Sequence, residues 1–271
     1  MEITGNAFVT GGGSGIGKAC CIALAKEGAE GVLVTDIDLK SAEKTVAEAT
    51  AAASNPDFRA EAIKLDVTLE DSVKQAVDHM VKSFGRIDYC VHSAGVPVFS
   101  YKPVADADFE EVKTLLQVHV HGTFLVTKLV SAAMISQEPK PVDANFPRLG
   151  DSRGAIVNMG SFCSTGAAAN LVTYTAAKHA ALAITKTAAI ENAAHGIRVN
   201  CVCPAWVDTQ MLKDAKKAIP ILNDETAVMN IPMNRIGIAE EIANVVLFLC
   251  SSRSSFVTGV SLPVDGGMAL M

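Results

Sequence analysis

The chain has 271 residues, of which 49% are hydrophobic and 19% are charged, so it can form a large core and is unlike a disordered chain. Its formal net charge of −6 argues against nucleic acid or an anionic membrane surface as a partner. The N-terminal segment lacks a basic region followed by an apolar stretch, and no segment offers about 18 consecutive uncharged apolar residues. We therefore expect no signal peptide, no membrane span and a cytoplasmic location.

Strand-like and helix-like segments alternate along the chain. The strand NAFVTG precedes a helix in KACCIALAKEGA, GVLVTD precedes a helix at 39–53, and AEAIKLDV precedes one at 70–84. The strand IDYCVHSAG precedes a long helix at 106–136, and GAIVNMGS precedes a helix at 173–195. IRVNCVCPAW precedes a looser segment. A helix at 239–250 and the strand GVSLPVDGG end the series. Repeated strand–helix units predict an α/β fold, a Rossmann-like doubly wound parallel sheet of about seven strands with helices on both faces. We expect residues 1–271 to form a single domain.

Two segments interrupt this alternation. The Pro-rich, polar segment 138–154 is predicted to be a surface loop at the N-terminal edge of the fifth strand, away from the ligand crevice. Segment 208–236 follows the C-terminal end of a strand and mixes apolar residues, Pro and charge. It is predicted to be a mobile segment that covers the substrate.

The seven cysteines are odd in number, and their spacing matches neither a disulfide framework nor a zinc site. Cys201-x-Cys203 invites a metal interpretation, but both residues lie in a strand-like run. Buried thiols that pack as small hydrophobic groups are the better interpretation. We predict no metal site.

The first strand–helix turn, TGGGSGIG, is rich in glycine. Gly11, Gly15 and Gly17 would permit a tight turn and a close approach of the backbone to a pyrophosphate at the N-terminus of a helix. The spacing departs from G-x-G-x-x-G, but the position on the first turn favours a nucleotide-binding function.

An acidic residue, Asp36, ends the second strand nineteen residues after Gly17. A carboxylate at this position accepts hydrogen bonds from a ribose 2′-hydroxyl and repels a 2′-phosphate. Neither Ser14 nor Ile37 offers a cation for such a phosphate. The sequence therefore favours NAD over NADP.

Two further strand ends carry candidate cofactor contacts. Asp66 ends the third strand in KLDV and is interpreted either as an acceptor for the adenine amino group or as a turn or N-cap aspartate before the helix that begins near Leu69. The fourth strand ends in Ser93, Ala94 and Gly95, small residues that let a cofactor pass closely.

The stretch YTAAK places Tyr174 and Lys178 four residues apart, on one face of an apolar helix. A phenol beside an ammonium would have a depressed pKa, as a general acid/base requires. The alternative is a core tyrosine with a lysine that extends to solvent.

Together these motifs resemble the short-chain dehydrogenase/reductase family over nearly the whole chain. TGGGSGIG matches its T-G-x-x-x-G-x-G turn, HSAG stands where it usually has N-N-A-G, and YTAAK matches its Y-x-x-x-K. Ser161, at the end of IVNMGS, falls at the position of the family's catalytic serine. CVCPAWVDT is similar to its P-G segment, with Ala205 in place of Gly, and TGVSLPVDGG is similar to its last strand.

The resemblance implies roles for these residues. Tyr174 would exchange a proton with the substrate oxygen, Ser161 would hydrogen-bond that oxygen, and Lys178 would hold the nicotinamide ribose and lower the pKa of the tyrosine. Val207 and Thr209 would contact the carboxamide and phosphate end of the cofactor. The cofactor contacts expected in all are Gly11, Ser14, Gly15, Ile16, Gly17, Asp36, Ile37, Asp66, Val67, Ser93, Ala94, Gly95, Tyr174, Lys178, Val207 and Thr209.

One position departs from the family pattern. The family's Asn in the long helix, three residues before a Gly, is replaced by His119 in QVHVHGTF. His119 is interpreted either as a packed residue that donates to a carbonyl or as a catalytic proton relay whose imidazole titrates near pH 6.5. His92, in place of the first Asn of N-N-A-G, is interpreted as structural.

The expected function is an NAD-dependent oxidoreductase that interconverts a secondary alcohol and a ketone, with oxidation of a hydrophobic cyclic alcohol of terpenoid, steroid or polyketide type. The expected substrate region is largely apolar, and no Arg stands in 159–175 to hold an anionic substrate. It comprises Phe99, Phe162, Cys163, Trp206, Met211 and segment 208–236. The Ala-rich sequence also resembles fungal members that tailor secondary metabolites.

Three other functions stay open. A 3-oxoacyl thioester reductase, or another carbonyl reductase, would be expected to use NADP and basic docking residues. A non-catalytic dinucleotide sensor would be expected to lack the Tyr or the Lys. A covalent role for Cys163 is disfavoured, because nothing nearby in the sequence lowers the pKa of its thiol.

The resemblance also implies assembly. The family forms dimers and tetramers by packing the helices at 106–136 and 173–195 against their counterparts in another subunit. Both helices here are rich in apolar and small residues, as a buried interface requires. We expect a homotetramer or, failing that, a homodimer.

Overall fold

The computed structural model of the chain describes residues 3–143 and 145–270. The strands within these residues are β1 (Asn6–Thr10), β2 (Gly31–Asp36), β3 (Arg59–Lys64), β4 (Tyr89–His92), β5 (Lys140–Pro141), β6 (Asp151–Ser152), β7 (Gly154–Met159), β8 (Ile197–Pro204) and β9 (Ser261–Val264). The helices are α1 (Gly15–Lys26), α2 (Leu39–Ala52), α3 (Glu70–Phe84), α4 (Phe109–Leu116), α5 (Gly122–Ser136), α6 (Val172–Ala193), α7 (Gln210–Ala218), α8 (Asp224–Met229) and α9 (Ala239–Cys250).

Seven strands form one parallel sheet in the order β3-β2-β1-β4-β7-β8-β9. The predicted α/β class and doubly wound sheet are therefore confirmed. The chain builds outward from β1 to β3 and then crosses back to place β4 on the other side of β1. Ligands of such sheets bind outside the carboxyl ends of the strands, at the point where the order reverses.

The core lies on both faces of this sheet. The inner strands are buried on both faces and read as continuous apolar runs, which is typical of parallel sheets. One apolar cluster joins the sheet to α1 and α9 and includes Leu24 and Val246. The other joins it to α3 and α5 and includes Met80 and Met134. The strand ends are thereby held rigidly beside one another.

Local sequence signals set several helix ends. Asp38 caps α2 by accepting the Lys40 N–H at 3.1 Å, and Asp108 caps α4 by accepting the Glu110 N–H at 2.9 Å. The left-handed Gly85, with φ of 81°, ends α3. These signals explain why the helices at 39–52 and 70–84 match their predicted bounds closely.

The predicted long helix is interrupted. Between α4 and α5 the backbone makes one π-helical turn, Gln117–His121. Such turns insert an extra residue and are frequent at functional sites. The helix Phe109–Ser136 contains an 18-residue window with a mean hydropathy of 1.4, so by length and composition alone it could cross a membrane. The packing of Val126, Val130 and Met134 against the core identifies it as an internal helix of the fold.

The predicted surface loop at 138–154 lies before β7, the fifth strand of the main sheet, as expected. It contains an unpredicted antiparallel pair, β5 with β6. Ala144, within this loop, lies outside the described residues. The loop borders the amino ends of the strands, at the edge opposite the switch point.

Candidate active site

A cleft runs along the carboxyl ends of β1, β4, β7 and β8. Its lining includes the four predicted catalytic residues, Ser161, Tyr174, Lys178 and His119. It also includes every predicted cofactor residue except Gly17. Residues as far apart in the sequence as Gly11 and Thr209 are therefore brought to one edge of the sheet, as the doubly wound topology requires.

The glycine turn has the geometry that close packing demands. Gly11 has φ of 65°, and a Cβ there would lie 2.7 Å from the backbone nitrogen of Ala94. A Cβ on Gly17 would lie 2.1 Å from the carbonyl oxygen of Gly11. Gly17 thus packs α1 against the turn and does not line the cleft, so its prediction as a cofactor contact is corrected to a supporting role.

The start of α1 borders the cleft through Gly15 and Ile16. The first backbone N–H groups of a helix have no partner within the helix and favour an anion such as a pyrophosphate. With the close backbone approach at Gly11, these residues fit a dinucleotide.

Asp36 lies at the far end of the cleft and also braces the glycine turn. Its Oδ2 accepts the Gly13 N–H at 2.9 Å, and its Oδ1 accepts the Asp38 N–H at 3.0 Å. Both oxygens keep a further lone pair for a ribose hydroxyl. Lys178 is the only lysine or arginine among the described residues that line the cleft, so no such cation balances Asp36 there.

Asp66 combines the two interpretations that the sequence left open. Its Oδ1 accepts the Thr68 N–H at 2.9 Å and the Thr68 hydroxyl at 2.7 Å, which is the geometry of a turn aspartate. The residue also lines the cleft beside Val67. A structural function in the turn is therefore present, and a contact with adenine is compatible with it.

Ser161, Tyr174 and Lys178 converge from two elements. Ser161 ends the segment after β7, where its Oγ accepts the Cys163 N–H at 3.2 Å, and Tyr174 lies in the first turn of α6. Both Ser161 and Tyr174 line the cleft here, and Ser161 is near enough to Tyr174 to oppose the rise of its pKa. Lys178 donates to the Met159 carbonyl at 3.0 Å, and its Nζ lies 5.6 Å from the centroid of the Tyr174 ring. Two hydroxyls thus line one cleft, beside an ammonium.

The expected depression of the Tyr174 pKa is wrong for this cleft. Burial raises the pKa of the phenol well above its usual range, with a further rise from Cys163 and only a small opposing effect from the hydrogen bond with Ser161. Burial also lowers the pKa of Lys178 to about 8. Desolvation outweighs the attraction between the two groups, since both are removed from water.

His119 lies in the π-helical turn and is buried. Its Nε2 donates to the Val96 carbonyl at 2.9 Å, and its ring meets the Tyr174 ring edge-on with centroids 5.4 Å apart. Burial, followed by the charge of Lys178, holds the pKa of His119 well below 6.5. The expectation that His119 titrates near pH 6.5 is therefore wrong, and the packed donor that the sequence left open is the geometry observed.

His92 is structural, as expected. It bridges Thr10, whose Oγ1 lies 2.8 Å from Nδ1, and Thr123, whose Oγ1 lies 3.2 Å from Nε2. The Thr123 hydroxyl donates to the His119 carbonyl at 2.6 Å, so its only proton is used and the Nε2 of His92 must be the donor. Burial lowers the pKa of His92 to about 3. A neutral His92 therefore links β1 to the π-helical turn.

The substrate side of the cleft is apolar. Phe162, Cys163, Trp206 and Met211 line it as predicted, whereas Phe99, which is 52% exposed, does not. Burial raises the pKa of the Cys163 thiol, which argues against a nucleophile. Two further apolar lining residues, Val98 and Leu171, were not predicted, and Leu212, Ala215 and Ile219 were predicted only as unnamed members of segment 208–236.

Part of that omission was avoidable. Leu212, Ala215 and Ile219 recur at helical spacing in segment 208–236, a pattern that predicts one apolar face of a helix. The structure forms α7 there, capped by Thr209, whose hydroxyl accepts the Leu212 N–H at 3.4 Å. Part of this segment lines the cleft, which is compatible with the predicted covering of the substrate.

Comparisons with known proteins agree with this arrangement. The family model described as enoyl-(acyl carrier protein) reductase matches residues 11–269. The short-chain dehydrogenase fogB of Aspergillus ruber is 50% identical over 270 residues, which cover 100% of this chain and 98% of the relative. The (+)-borneol dehydrogenase 2 of Salvia officinalis is 32% identical over 268 residues, which cover 96% of this chain and 88% of the relative.

Solved structures share the fold. A levodione reductase is 29% identical with a TM-score of 0.85, covering 98% of this chain and 97% of its own. An NAD+-bound xylitol dehydrogenase is 31% identical with a TM-score of 0.83, covering 97% and 98%. Fold and relatives define an oxidoreductase that uses a nicotinamide dinucleotide. The chain belongs to the short-chain dehydrogenase/reductase family, as the motifs indicated.

Proposed function

We propose that this chain is an NAD-dependent enzyme that oxidises a hydrophobic cyclic secondary alcohol to its ketone. The observation that carries the proposal is the apolar wall that closes on the paired hydroxyls of Ser161 and Tyr174. Val98, Leu171 and Leu212 belong to one buried cluster on this side. The charged residues of the lining are Asp36 and Asp66, at the cofactor end, and Lys178, beside Tyr174, and none of them belongs to this apolar cluster. A substrate that bears an anion would find no partner against this wall.

In this mechanism the chain holds the alcohol oxygen between two hydroxyls. Ser161 donates a hydrogen bond to that oxygen, and Tyr174 takes its proton as the carbon–oxygen bond becomes double. A nicotinamide dinucleotide, which the glycine turn, Asp36 and Lys178 would hold, would accept the hydride that leaves the alcohol carbon as its C–H bond breaks. The Lys178 ammonium, beside the phenol ring, stabilises the phenolate that must form before each proton transfer.

The pKa values predict how the rate of alcohol oxidation depends on pH. Because the pKa of Tyr174 is raised, the phenolate forms only on the alkaline side, so oxidation should accelerate as the pH rises from neutrality. The neutral His119 should add no acid limb near pH 6.5. Its Nε2 is already engaged with Val96, so it would position the backbone beside Tyr174.

Asp36 supports the choice of NAD. It lies at the end of β2 with Ile37, which is 63% exposed, next to it, and with Asp38 as a second carboxylate close by in the turn. Two carboxylates repel the 2′-phosphate of NADP and leave hydrogen-bond acceptors for the ribose of NAD. A cytoplasmic location, where the NAD pool is mostly oxidised, would favour the oxidation of alcohol. The 50% sequence identity to the short-chain dehydrogenase fogB supports a tailoring function in fungal secondary metabolism.

One observation favours a second candidate, a carbonyl reductase of thioester substrates. The 3-oxoacyl-[acyl-carrier-protein] reductase FabG of Thermotoga maritima is 34% identical over 263 residues, and α7 carries Lys213, Lys216 and Lys217 beside the cleft. Lys217 pairs with Asp214 at 2.6 Å, which offsets part of that charge. The apolar wall and Asp36 weigh against this candidate.

The assembly is proposed from the same two helices that the sequence indicated. Phe109 and Phe124 on the long helix, and Ile190 on α6, are large apolar side chains left 68%, 52% and 81% exposed. Burying them against a second copy would remove this apolar surface from water. We propose a homotetramer built on these helices, or a homodimer, which light scattering at micromolar concentration would test against a monomer.

The test of the proposed function is an oxidation panel. The protein is mixed with NAD or NADP and with propan-2-ol, cyclohexanol or borneol, and reduced cofactor is followed by fluorescence. The proposal expects turnover with NAD and the highest kcat/KM with borneol. Faster turnover with NADP, or activity only on thioesters, would contradict it. Tight NADH binding without turnover of any alcohol or ketone would favour the sensor.

A further inference from the structure

The segment after β4 forms a wall of the cleft without any regular secondary structure. Residues 93–103 are neither helix nor strand, yet Val96, Pro97 and Val98 line the cleft. Val98 is buried against the apolar cluster that includes Leu171 and Leu212. The position of this segment, which we call the β4 loop, therefore decides the width of the substrate side.

Two of the contacts that fix the β4 loop lie at its ends. The Val96 carbonyl accepts from His119 at 2.9 Å, and the Lys102 N–H donates to the Asn170 carbonyl at 3.2 Å. Asn170 precedes α6, across the cleft from the π-helical turn. Neither contact reaches Phe99 or Ser100, where the loop turns away from the cleft.

A buried carboxylate holds that middle part. Glu111 on α4 is only 5% exposed, and it accepts the Phe99 N–H at 2.8 Å and the Ser100 N–H at 3.1 Å through Oε1. Its Oε2 accepts the Ser100 hydroxyl. All hydrogen bonds recorded for this carboxylate among the described residues therefore come from the β4 loop.

Burying the Glu111 carboxylate and these backbone N–H groups is unfavourable unless they hydrogen-bond each other. A carboxylate taken out of water needs donors to offset its desolvation, and a backbone N–H that loses its acceptor carries a similar penalty. Glu111 and the loop satisfy each other's requirement. A bond to an ionised acceptor is also stronger than one between neutral groups, so it limits the range of loop positions.

We propose that Glu111 is a positioning residue that selects substrates by size, because it fixes the β4 loop and with it the place of Val98 against the bound alcohol. This inference rests on the proposed oxidation of secondary alcohols. Glu111 does not line the cleft and acts only through the loop.

The kinetic test compares Glu111→Gln with Glu110→Gln. The amide of the first variant keeps one acceptor oxygen but presents an NH₂ group to the loop donors. The control removes a neighbouring charge whose partner is Lys113 on the surface, at 2.6 Å. With Glu111→Gln we expect KM for borneol to rise about tenfold, the factor that the loss of one charged hydrogen bond gives. KM and kcat for propan-2-ol should change less than about twofold, and the Kd of NADH should be unchanged.

An equal fall in kcat/KM for every alcohol, or no change in the ratio of borneol to propan-2-ol, would overturn the proposal. The control variant should match the wild type throughout. Wild-type protein that oxidised none of these alcohols would contradict the proposed function itself. A second measurement would then test whether Glu111 fixes the β4 loop.

That measurement is amide hydrogen exchange of a peptide spanning the β4 loop, with no substrate present. In the wild type the amides of Phe99 and Ser100 should be protected, and in Glu111→Gln they should exchange about tenfold faster or more. Peptides from α1 and β8 serve as internal references and should not change. Equal exchange of the β4 loop in the wild type and in Glu111→Gln would overturn the proposal that Glu111 fixes this loop, whatever the kinetics show.

Discussion

The two edges of the seven-stranded sheet use their polar side chains in opposite ways. At the carboxyl edge, the hydroxyls of Ser161 and Tyr174 and the ammonium of Lys178 converge on a cleft. At the amino edge, three arginines line a second cavity together with Tyr89, and each of them donates to a carbonyl at the end of a helix. The first set keeps hydrogen-bonding capacity for a ligand, and the second set is satisfied by the chain itself.

The arginine contacts show this difference in detail. Arg198 reaches the Cys250 and Ser251 carbonyls at 3.2 Å each, after α9. Arg153 reaches the His195 carbonyl at 2.9 Å, after α6, and Arg86 reaches the Glu138 carbonyl at 3.1 Å, after α5. The C-terminus of a helix carries partial negative charge and unpaired carbonyls, so a cation there is stabilising. A cavity lined by cations is therefore no indication of an anion site when backbone carbonyls and a carboxylate, here Asp88 at 2.6 Å from Arg86, already pair with them.

The largest expected effect contrasts one tyrosine from each edge. Tyr174→Phe should lower kcat/KM for alcohol oxidation by about 10² to 10⁴, the range of a general acid/base, while NADH binding is retained. Tyr89→Phe removes a hydroxyl that donates to the Thr4 carbonyl at 2.6 Å. It should leave kcat/KM unchanged and lower the free energy of unfolding by about 1 kcal/mol. Steady-state kinetics and urea unfolding of both variants would decide this, and similar activities in the two would break the comparison.

A smaller effect concerns the cofactor end of the carboxyl edge. Asp36→Ala should weaken NAD binding by about 1.5–3 kcal/mol, because hydrogen bonds to a charged acceptor are lost. The same change should reduce the ratio of the affinity for NAD to the affinity for NADP. Titration of NADH and NADPH fluorescence checks both. A loss of affinity for both dinucleotides by the same factor would mean that Asp36 serves only the glycine turn.

Arg198→Met tests the amino edge by itself. Removing three hydrogen bonds to carbonyls should lower the free energy of unfolding by about 1.5–3 kcal/mol, while kcat/KM and the Kd of NADH stay as in the wild type. Urea unfolding followed by circular dichroism measures the first, and the alcohol assay the second. A variant that is as stable as the wild type but inactive would show that this edge takes part in function.

A further effect concerns His92 and His119, which are both buried at the carboxyl edge of the sheet. Both imidazoles stay neutral in the folded protein well below pH 6.5, whereas the unfolded chain protonates each below about 6.5. The unfolded state then binds more protons, so stability falls as the pH drops below 6.5, by at most about 1.4 kcal/mol per pH unit for each imidazole. Urea unfolding at pH 7 and pH 5 measures this. His92→Asn should show a shallower loss, and identical losses would contradict the assignment.

Much of this molecule could be predicted from its sequence. Alternating apolar runs gave the parallel sheet, and aspartate caps with Gly85 gave helix ends close to those observed. Ser161, Tyr174 and Lys178 were found because their spacing matches a motif, and Asp36 because it ends a strand at the required distance from the glycine turn. These features depend on local order along the chain, which a sequence displays directly.

Other features depend on which groups become buried together. The sign of the Tyr174 pKa shift was mispredicted, because the distance to Lys178 is visible in the sequence but desolvation is not. The same holds for His119, for the supporting role of Gly17 and for the exposure of Phe99. Glu111 resembles any charged residue of an exposed helix until the fold brings the β4 loop onto it. Its neighbour Glu110, one residue away, lies on the surface.

The contrast between the edges is tested most directly by amide hydrogen exchange with and without NAD. Protection should appear in peptides that contain the glycine turn, the β4 loop and the start of α7, all at the carboxyl edge. Peptides that contain Arg198 in β8's first residues, or residues 250–257 at the amino edge, should exchange equally in both samples. Protection confined to the carboxyl edge is the predicted result, and protection at the amino edge, or none anywhere at saturating NAD, would contradict the account.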